Sequence, residues 1–164
     1  MSMDIRQACE NDISALYALY EKIGHKETGY FERCFEEGYD IFIVRDSGED
    51  AGFCILNFSP LYSLYKKLGY PELQDLNIVP EHRQKGLATL LVAHCENTAR
   101  SRGSDGVGIS VGLTKDYGPA QRLYAKMGYV PDGFGVTYER LPVSPHSLQR
   151  VDDNLCLMLV KTLD

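Results

Sequence analysis

The sequence predicts an α/β fold built around one mixed sheet. Two observations carry that prediction. Strand-like and helix-like patterns alternate along the chain in the order β-α-α-β-β-β-α-β-α-β-β, so the helices are interleaved with the strands. The middle of the chain also reads as one continuous unit. Leu73 to Val79 is apolar enough for a buried strand, a basic turn containing Gly86 follows, and residues 86–102 form a proline-free helix.

The elements can be justified in order. Met3 to Ala8 alternates and reads as a short first strand. Asn11 or Asp12 can cap the next helix, whose apolar face holds Ile13, Leu16, Tyr17, Leu19, Tyr20 and Ile23, and Gly24 ends it. A second helix is expected over residues 27–37, with Tyr30, Phe31, Cys34 and Phe35 on one side. Residues 39–45 are β-branched and aromatic, residues 46–50 have turn chemistry, and residues 51–58 read as the return strand of an antiparallel hairpin. Residues 59–71 form a connection holding Tyr62, Tyr65 and Tyr70, with room for a helical turn. These tyrosines are either a substrate wall or the cover of a small core.

Past the central helix, Val107, Ile109, Val111 and Leu113 alternate with Gly108, Ser110 and Gly112. That strand has one bulky face and one nearly bare face, and small residues inside a strand mark close approach of a ligand or another backbone. Gly118-Pro119 opens a helix lined by Ala120, Leu123, Tyr124 and Met127. Residues 129–138 form a strand interrupted at Asp132-Gly133, residues 141–153 a long polar loop, and residues 154–161 a strand apolar on both faces, hence internal. Positions 1–164 are expected to form a single domain.

Composition narrows the function classes. Net charge is −6, which argues against nucleic-acid binding. No apolar stretch approaches the ~20 residues that span a membrane. The five cysteines are scattered, with no C-x-x-C spacing, and the four histidines show no metal spacing. Free thiols, a cytoplasmic location and no metal are the expectations. The apolar last strand could support a homodimer.

The strand–turn–helix unit points to an anion. A helix start presents backbone N–H groups without helical partners and the positive end of the helix dipole. It therefore suits a phosphate or pyrophosphate. Arg83 and Lys85 add positive charge there, and Gly86 has no Cβ to hold a ligand off. Neither G-x-x-x-x-G-K-[ST] nor G-x-G-x-x-G occurs, so a nucleotide-binding protein is disfavoured.

Leu76-Asn-Ile-Val-Pro-Glu-His-Arg-Gln-Lys-Gly-Leu-Ala88 resembles the acetyl-CoA-binding core of the GNAT superfamily of N-acetyltransferases. Ala120-Gln-Arg-Leu-Tyr-Ala-Lys-Met-Gly-Tyr129 is similar to the family's later helix, A-x-x-L-Y-x-K-x-G-F, and the two motifs lie at the expected separation. The resemblance implies a GNAT-like acyl-CoA N-acyltransferase fold, a mixed, mostly antiparallel sheet of about seven strands flanked by about four helices. It implies that backbone groups of Ile78 and Val79 pair with the pantetheine arm of acetyl-CoA. It implies that Arg83, Gln84, Lys85, Gly86, Leu87, Ala88 and Thr89 hold the pyrophosphate, and that the bare-faced strand helps leave the pantetheine slot. It implies that Ala120 and Tyr124 lie on the cofactor side, with Tyr124 near the sulfur. Tyr117 stands where the family often has asparagine, so that amide contact is missing or remade by the hydroxyl.

Acetyl transfer to an amine fixes the remaining roles. A free alkylamine has a pKa of about 10.4, so a base, direct or through water, must take a proton. Glu72 is the first candidate and Asp75 the second, a carboxylate in mid-strand being unusual unless it faces a cleft. Glu72 equally reads as an exposed charge after Pro71. A backbone N–H of residues 76–79 is the candidate donor to the thioester oxygen. Tyr124 is the candidate acid for the leaving thiolate, although a core tyrosine on an amphipathic helix fits the same position. The acceptor is expected to be a small primary amine, or next a peptide amine, attacking directly in a ternary complex. The rival is a non-catalytic acyl-CoA-binding module on the same fold. Substrate choice is expected to lie in residues 24–38, 59–71 and 141–153.

Overall fold

A computed structural model describes residues 2–164. It holds β1 (Met3–Gln7), α1 (Ile13–Lys22), α2 (Tyr30–Glu36), β2 (Asp40–Asp46), β3 (Glu49–Asn57), α3 (Ser63–Leu68) and β4 (Glu72–Ile78). Then follow α4 (Leu87–Ser101), β5 (Gly106–Gly112), α5 (Gly118–Lys126), β6 (Val130–Tyr138), β7 (Leu141–Pro142) and β8 (Leu155–Thr162). The α/β class stands, with eight strands and five α-helices in place of about seven and four. The additions are α3, inside the tyrosine-rich connection, and the two-residue β7, too short to show a period.

The chain forms two compact units, Met1–Phe58 with Leu73–Thr98, and Ser59–Glu72 with Ala99–Asp164. In the first, the strand order is β1-β2-β3-β4, and β1, β2 and β3 are antiparallel neighbours. Successive side chains of a strand point to opposite faces. Ile41, Ile43, Phe53 and Ile55 therefore join one core with Leu16, Leu19 and Tyr20 of α1 and Phe31 and Cys34 of α2. On the other face, Phe42 meets the His94 ring of α4 edge-on at 4.6 Å, and Cys54 Sγ lies 3.5 Å from Cys95 Sγ. Burial on both faces explains why β2 and β3 read as continuous apolar runs. At Gly52 an added Cβ would lie 2.4 Å from the Asn77 carbonyl oxygen, so only glycine admits β4 this closely.

In the second unit the order is β5-β8-β6-β7, and β8 pairs antiparallel with β5 on one side and β6 on the other. The internal position expected for the last strand is the one observed. Register slips between Pro131 and Val136 of β6, where the Asp132-Gly133 break was expected. The bare face of β5 is a correction. It is filled by tyrosine rings: a Cβ at Gly106 would collide with Tyr70, at Gly108 with Tyr65, and at Gly112 with Tyr117. The Tyr65 hydroxyl donates to the carbonyls of Leu159 at 2.7 Å and Ile109 at 3.2 Å. Tyr62 and Tyr65 form a small core with Met158, with Tyr70 packed against it, so these tyrosines are core cover.

Candidate active site

The first unit holds Asp75, Ile78, Val79 and the turn 83–89 on one strand–turn–helix. Gln84 (φ 63°) and Gly86 (φ 81°) both adopt left-handed backbone as the chain reverses into α4. Nothing lies within 4 Å of a Cβ built on Gly86, so glycine is required there by its φ rather than by crowding. The amide of Leu90 donates to the Gly86 carbonyl at 3.1 Å and closes the first helical turn. The N–H groups of Leu87, Ala88 and Thr89 precede that bond and have no helical acceptor. No acidic residue occupies the first turn of this fifteen-residue helix. The donor set therefore fits a pyrophosphate, with backbone N–H groups at a positive helix end and no competing carboxylate in that turn.

The side-chain charges are arranged differently from the expectation. Lys85 Nζ donates to Asp46 Oδ2 at 2.9 Å, and Arg83 Nε donates to the Ile78 carbonyl at 2.9 Å. His82 lies with Nδ1 3.1 Å from the same Asp46 oxygen and Nε2 3.4 Å from Glu49. Asp46, buried at the end of β2, thus braces the turn through two of its side chains. Its partners Lys85 and then His82 hold its carboxyl below the usual carboxylate range. A depressed carboxylate contributes stability above its unfolded pKa of about 3.9, lost as pH falls through the folded value. Asp46→Asn is expected to weaken acetyl-CoA affinity while leaving kcat nearly unchanged, and to flatten the acid end of the stability curve. Steady-state kinetics with acid-induced unfolding measures both. A variant with native KM would remove Asp46 from the turn.

Along β4, the Val79 N–H donates to the Ala51 carbonyl at 2.9 Å. That donor is committed to β3, a correction to the reading in which it faces the pantetheine arm. Asp75 sits in mid-strand with φ 50°, an uncommon conformation for a non-glycine residue. Its exposed carboxylate accepts a hydrogen bond from the Tyr30 hydroxyl of α2. The Tyr30 ring stacks on Tyr20 at 5.3 Å, and Tyr20 stacks on His25 at 4.8 Å. Beside this stack, the end of α1 and the loop into α2 line an open cavity of about 370 Å³.

The second unit holds the other candidates. Glu72 is fully buried, and both of its oxygens are engaged by Arg140, with Nη2 at 2.5 Å and Nε at 3.1 and 3.2 Å. The first candidate base is thus a closed ion pair in this structure, neither an exposed charge nor an open carboxylate. Tyr117 lays its ring over Gly112, and Gln121 Nε2 donates to the Gly112 carbonyl at 2.8 Å. Ala120 and Tyr124 lie on α5, where Tyr124 is buried with its ring edge-on to Tyr129 at 6.2 Å.

Sequence reasoning missed Asp46, Arg140 and the cavity. Asp46 read as turn chemistry, and Arg140 gave no local signal. The tyrosines of α1 read as core, which Tyr20 also is. Among the described residues no cluster of histidine, cysteine or acidic groups could hold a metal ion, and no helix is long and apolar enough to cross a membrane.

Comparison with known proteins adds the following. The family model described as Acetyltransferase (GNAT) family matches residues 6–129. Over 86 residues the chain is 30% identical to streptothricin acetyltransferase of Streptomyces lavendulae, a match covering 52% of this chain and 41% of that protein. A GNAT-family structure from Desulfovibrio desulfuricans superposes with a TM-score of 0.74 at 15% identity, covering 98% of this chain and 99% of the other. A GNAT-family acetyltransferase from Elizabethkingia anophelis, solved with acetyl-CoA bound, gives a TM-score of 0.71 at 11% identity and covers 98% of each chain.

Proposed function

The chain belongs to the GNAT acetyltransferase family, and from that premise we propose that it transfers an acetyl group from acetyl-CoA to a primary amine, by direct attack in a ternary complex. The observation that carries the cofactor assignment is the turn at Gly86, where left-handed backbone delivers the acid-free start of α4 to an anion. The N–H groups of Leu87, Ala88 and Thr89 would hold the pyrophosphate, and Asp46 would keep the turn in shape through Lys85 and His82. Bound there, acetyl-CoA supplies the activated acyl group.

Asp75 takes the role of base. It is exposed, its φ of 50° is uncommon for a non-glycine residue, and the Tyr30 hydroxyl holds its carboxylate in place. Glu72 is the weaker candidate, because Arg140 engages both its oxygens and no solvent reaches it. With the Val79 N–H committed to Ala51, the donor toward the thioester oxygen falls to another backbone group of residues 76–78. Tyr124 remains the acid for the leaving thiolate, with a hydroxyl to give and a ring fixed by burial.

Thiol release with a panel of amines, followed against pH, tests these roles. Asp75→Asn is expected to cost about a hundredfold in kcat/KM and to erase the acidic limb of the profile. Glu72→Gln is expected to keep that limb. The reverse pattern would make Glu72 the base, and two unchanged profiles would dismiss both.

A further inference from the structure

The cavity beside α1 carries the chemistry of a cation site. Its aromatic surface comes from Tyr17, Tyr20 and His25, and its carboxylates from Glu21, Glu27 and Glu32. Two of those carboxylates already have partners. Glu32 accepts from the Tyr17 hydroxyl at 2.5 Å, which holds its carboxyl below the usual range, and Glu27 pairs with Arg33 at 2.6 Å. Glu21 has no side-chain partner among the described residues. Against three negative groups stand Lys26 on the lining and Arg33 behind Glu27, which leaves one negative charge uncompensated.

Tyr20 supplies an independent observation. It is only 6% exposed, it lines the cavity, and its hydroxyl has no hydrogen-bond partner among the described residues. The ring carries that burial, while the hydroxyl is not among the buried unsatisfied polar atoms and keeps surface that water or a ligand in the cavity can reach. Burial and then the nearby Asp75 charge push its pKa up to about 12, so the phenol stays neutral and surrounded by negative potential. Rings with carboxylates at their edge favour an organic ammonium over a bare metal ion, because the rings contribute cation–π attraction and apolar contact to the alkyl chain. A volume of about 370 Å³ equals roughly a dozen waters, far more than an ammonium alone fills.

We propose that this cavity receives a second cationic group of the acceptor, so that the preferred substrate is a compound with two amines joined by a flexible apolar chain. The inference rests on the acetyltransferase reading for its role, and on the cavity for its chemistry. The Tyr20–Tyr30 stack leads from the cavity wall to the hydrogen bond on Asp75. One amine held in the cavity would thus leave the other to reach the base on β4.

Calorimetric titration with cadaverine, and with n-pentylamine as its one-amine counterpart, tests this without requiring turnover. Cadaverine is expected to bind the unmodified protein more tightly than n-pentylamine. Glu21→Gln, at an exposed position, is expected to weaken cadaverine by about fivefold, the upper end of what one exposed ion pair contributes. Glu36→Gln, exposed on α2 and not part of the cavity lining, is the charge-matched control and should leave the affinity unchanged. Equal affinity for the two amines, no cadaverine binding, or equal loss in the two variants would each overturn the proposal. A parallel titration with acetyl-CoA separates the two readings. Acetyl-CoA binding and acetylation of n-pentylamine without diamine preference remove the cavity assignment alone. Diamine binding without any acetyl-CoA binding removes the acetyltransferase reading and leaves the cation site standing.

Discussion

Gly86→Glu is expected to abolish binding of both acetyl-CoA and CoA, by more than about a thousandfold in Kd. Two effects combine in it. Gly86 has φ 81°, and an L-residue forced into left-handed backbone costs roughly 1–2 kcal/mol. Because nothing lies within 4 Å of the added Cβ, Gly86→Ala carries this cost alone and should weaken binding by about tenfold. Glutamate adds a negative charge beside the anion. One like-charge contact at 4 Å is worth about 4 kcal/mol at the effective dielectric of a protein surface. The same carboxylate suits the free helix end, since acidic groups stabilise a helix N-terminus. Lost binding with retained folding is therefore the signature, read by calorimetry alongside thermal unfolding. If the glutamate variant binds CoA normally, the anion site lies elsewhere. If alanine and glutamate lose equally, strain and not charge governs the site.

How much of this was legible in the sequence follows from the range of each interaction. The strand–turn–helix from Glu72 to Ser101 depends on local pattern, a glycine in the turn and a proline-free amphipathic run, and it is found where expected. The double burial of β2 and β3 is legible in their continuous apolar runs, and that of β8 likewise. The partners of polar groups are another matter. Lys85 meets Asp46 across 39 positions and Arg140 meets Glu72 across 68, and no periodicity encodes such a pairing. Reading Lys85 as a loose phosphate cation was the natural local inference, and only the fold shows it turned onto a buried carboxylate. The glycines of β5 show the same limit. Their spacing correctly marks a close approach, but sequence cannot say whether a ligand or a ring makes it. Here Tyr65, Tyr70 and Tyr117 do.

Arg140→Ala is expected to destabilise the protein by about 3 kcal/mol, the lower end of what breaking a buried pair costs, because Arg140 is itself partly exposed while Glu72 is not. For a chain of this size that lowers Tm by roughly 6–12 °C. The loss comes mainly from Glu72, left as an uncompensated charge with no solvent. A second substitution identifies that cause: adding Glu72→Gln should recover part of the loss, since no buried charge then remains. The backbone supplies a second discriminator. Glu139 (φ 50°) and Arg140 (φ 65°) form the two-residue turn between β6 and β7, where both positions need positive φ and glycine or asparagine is usual. Arg140→Gly relieves that strain while losing the same pair, so it should be about 1 kcal/mol less damaging than alanine. A strained arginine at this turn makes sense if its guanidinium is what anchors the hairpin to Glu72. Thermal unfolding of these variants decides the matter: a loss below about 0.5 kcal/mol for Arg140→Ala, with no recovery from Glu72→Gln, would make the pair incidental and return Glu72 to consideration as the base.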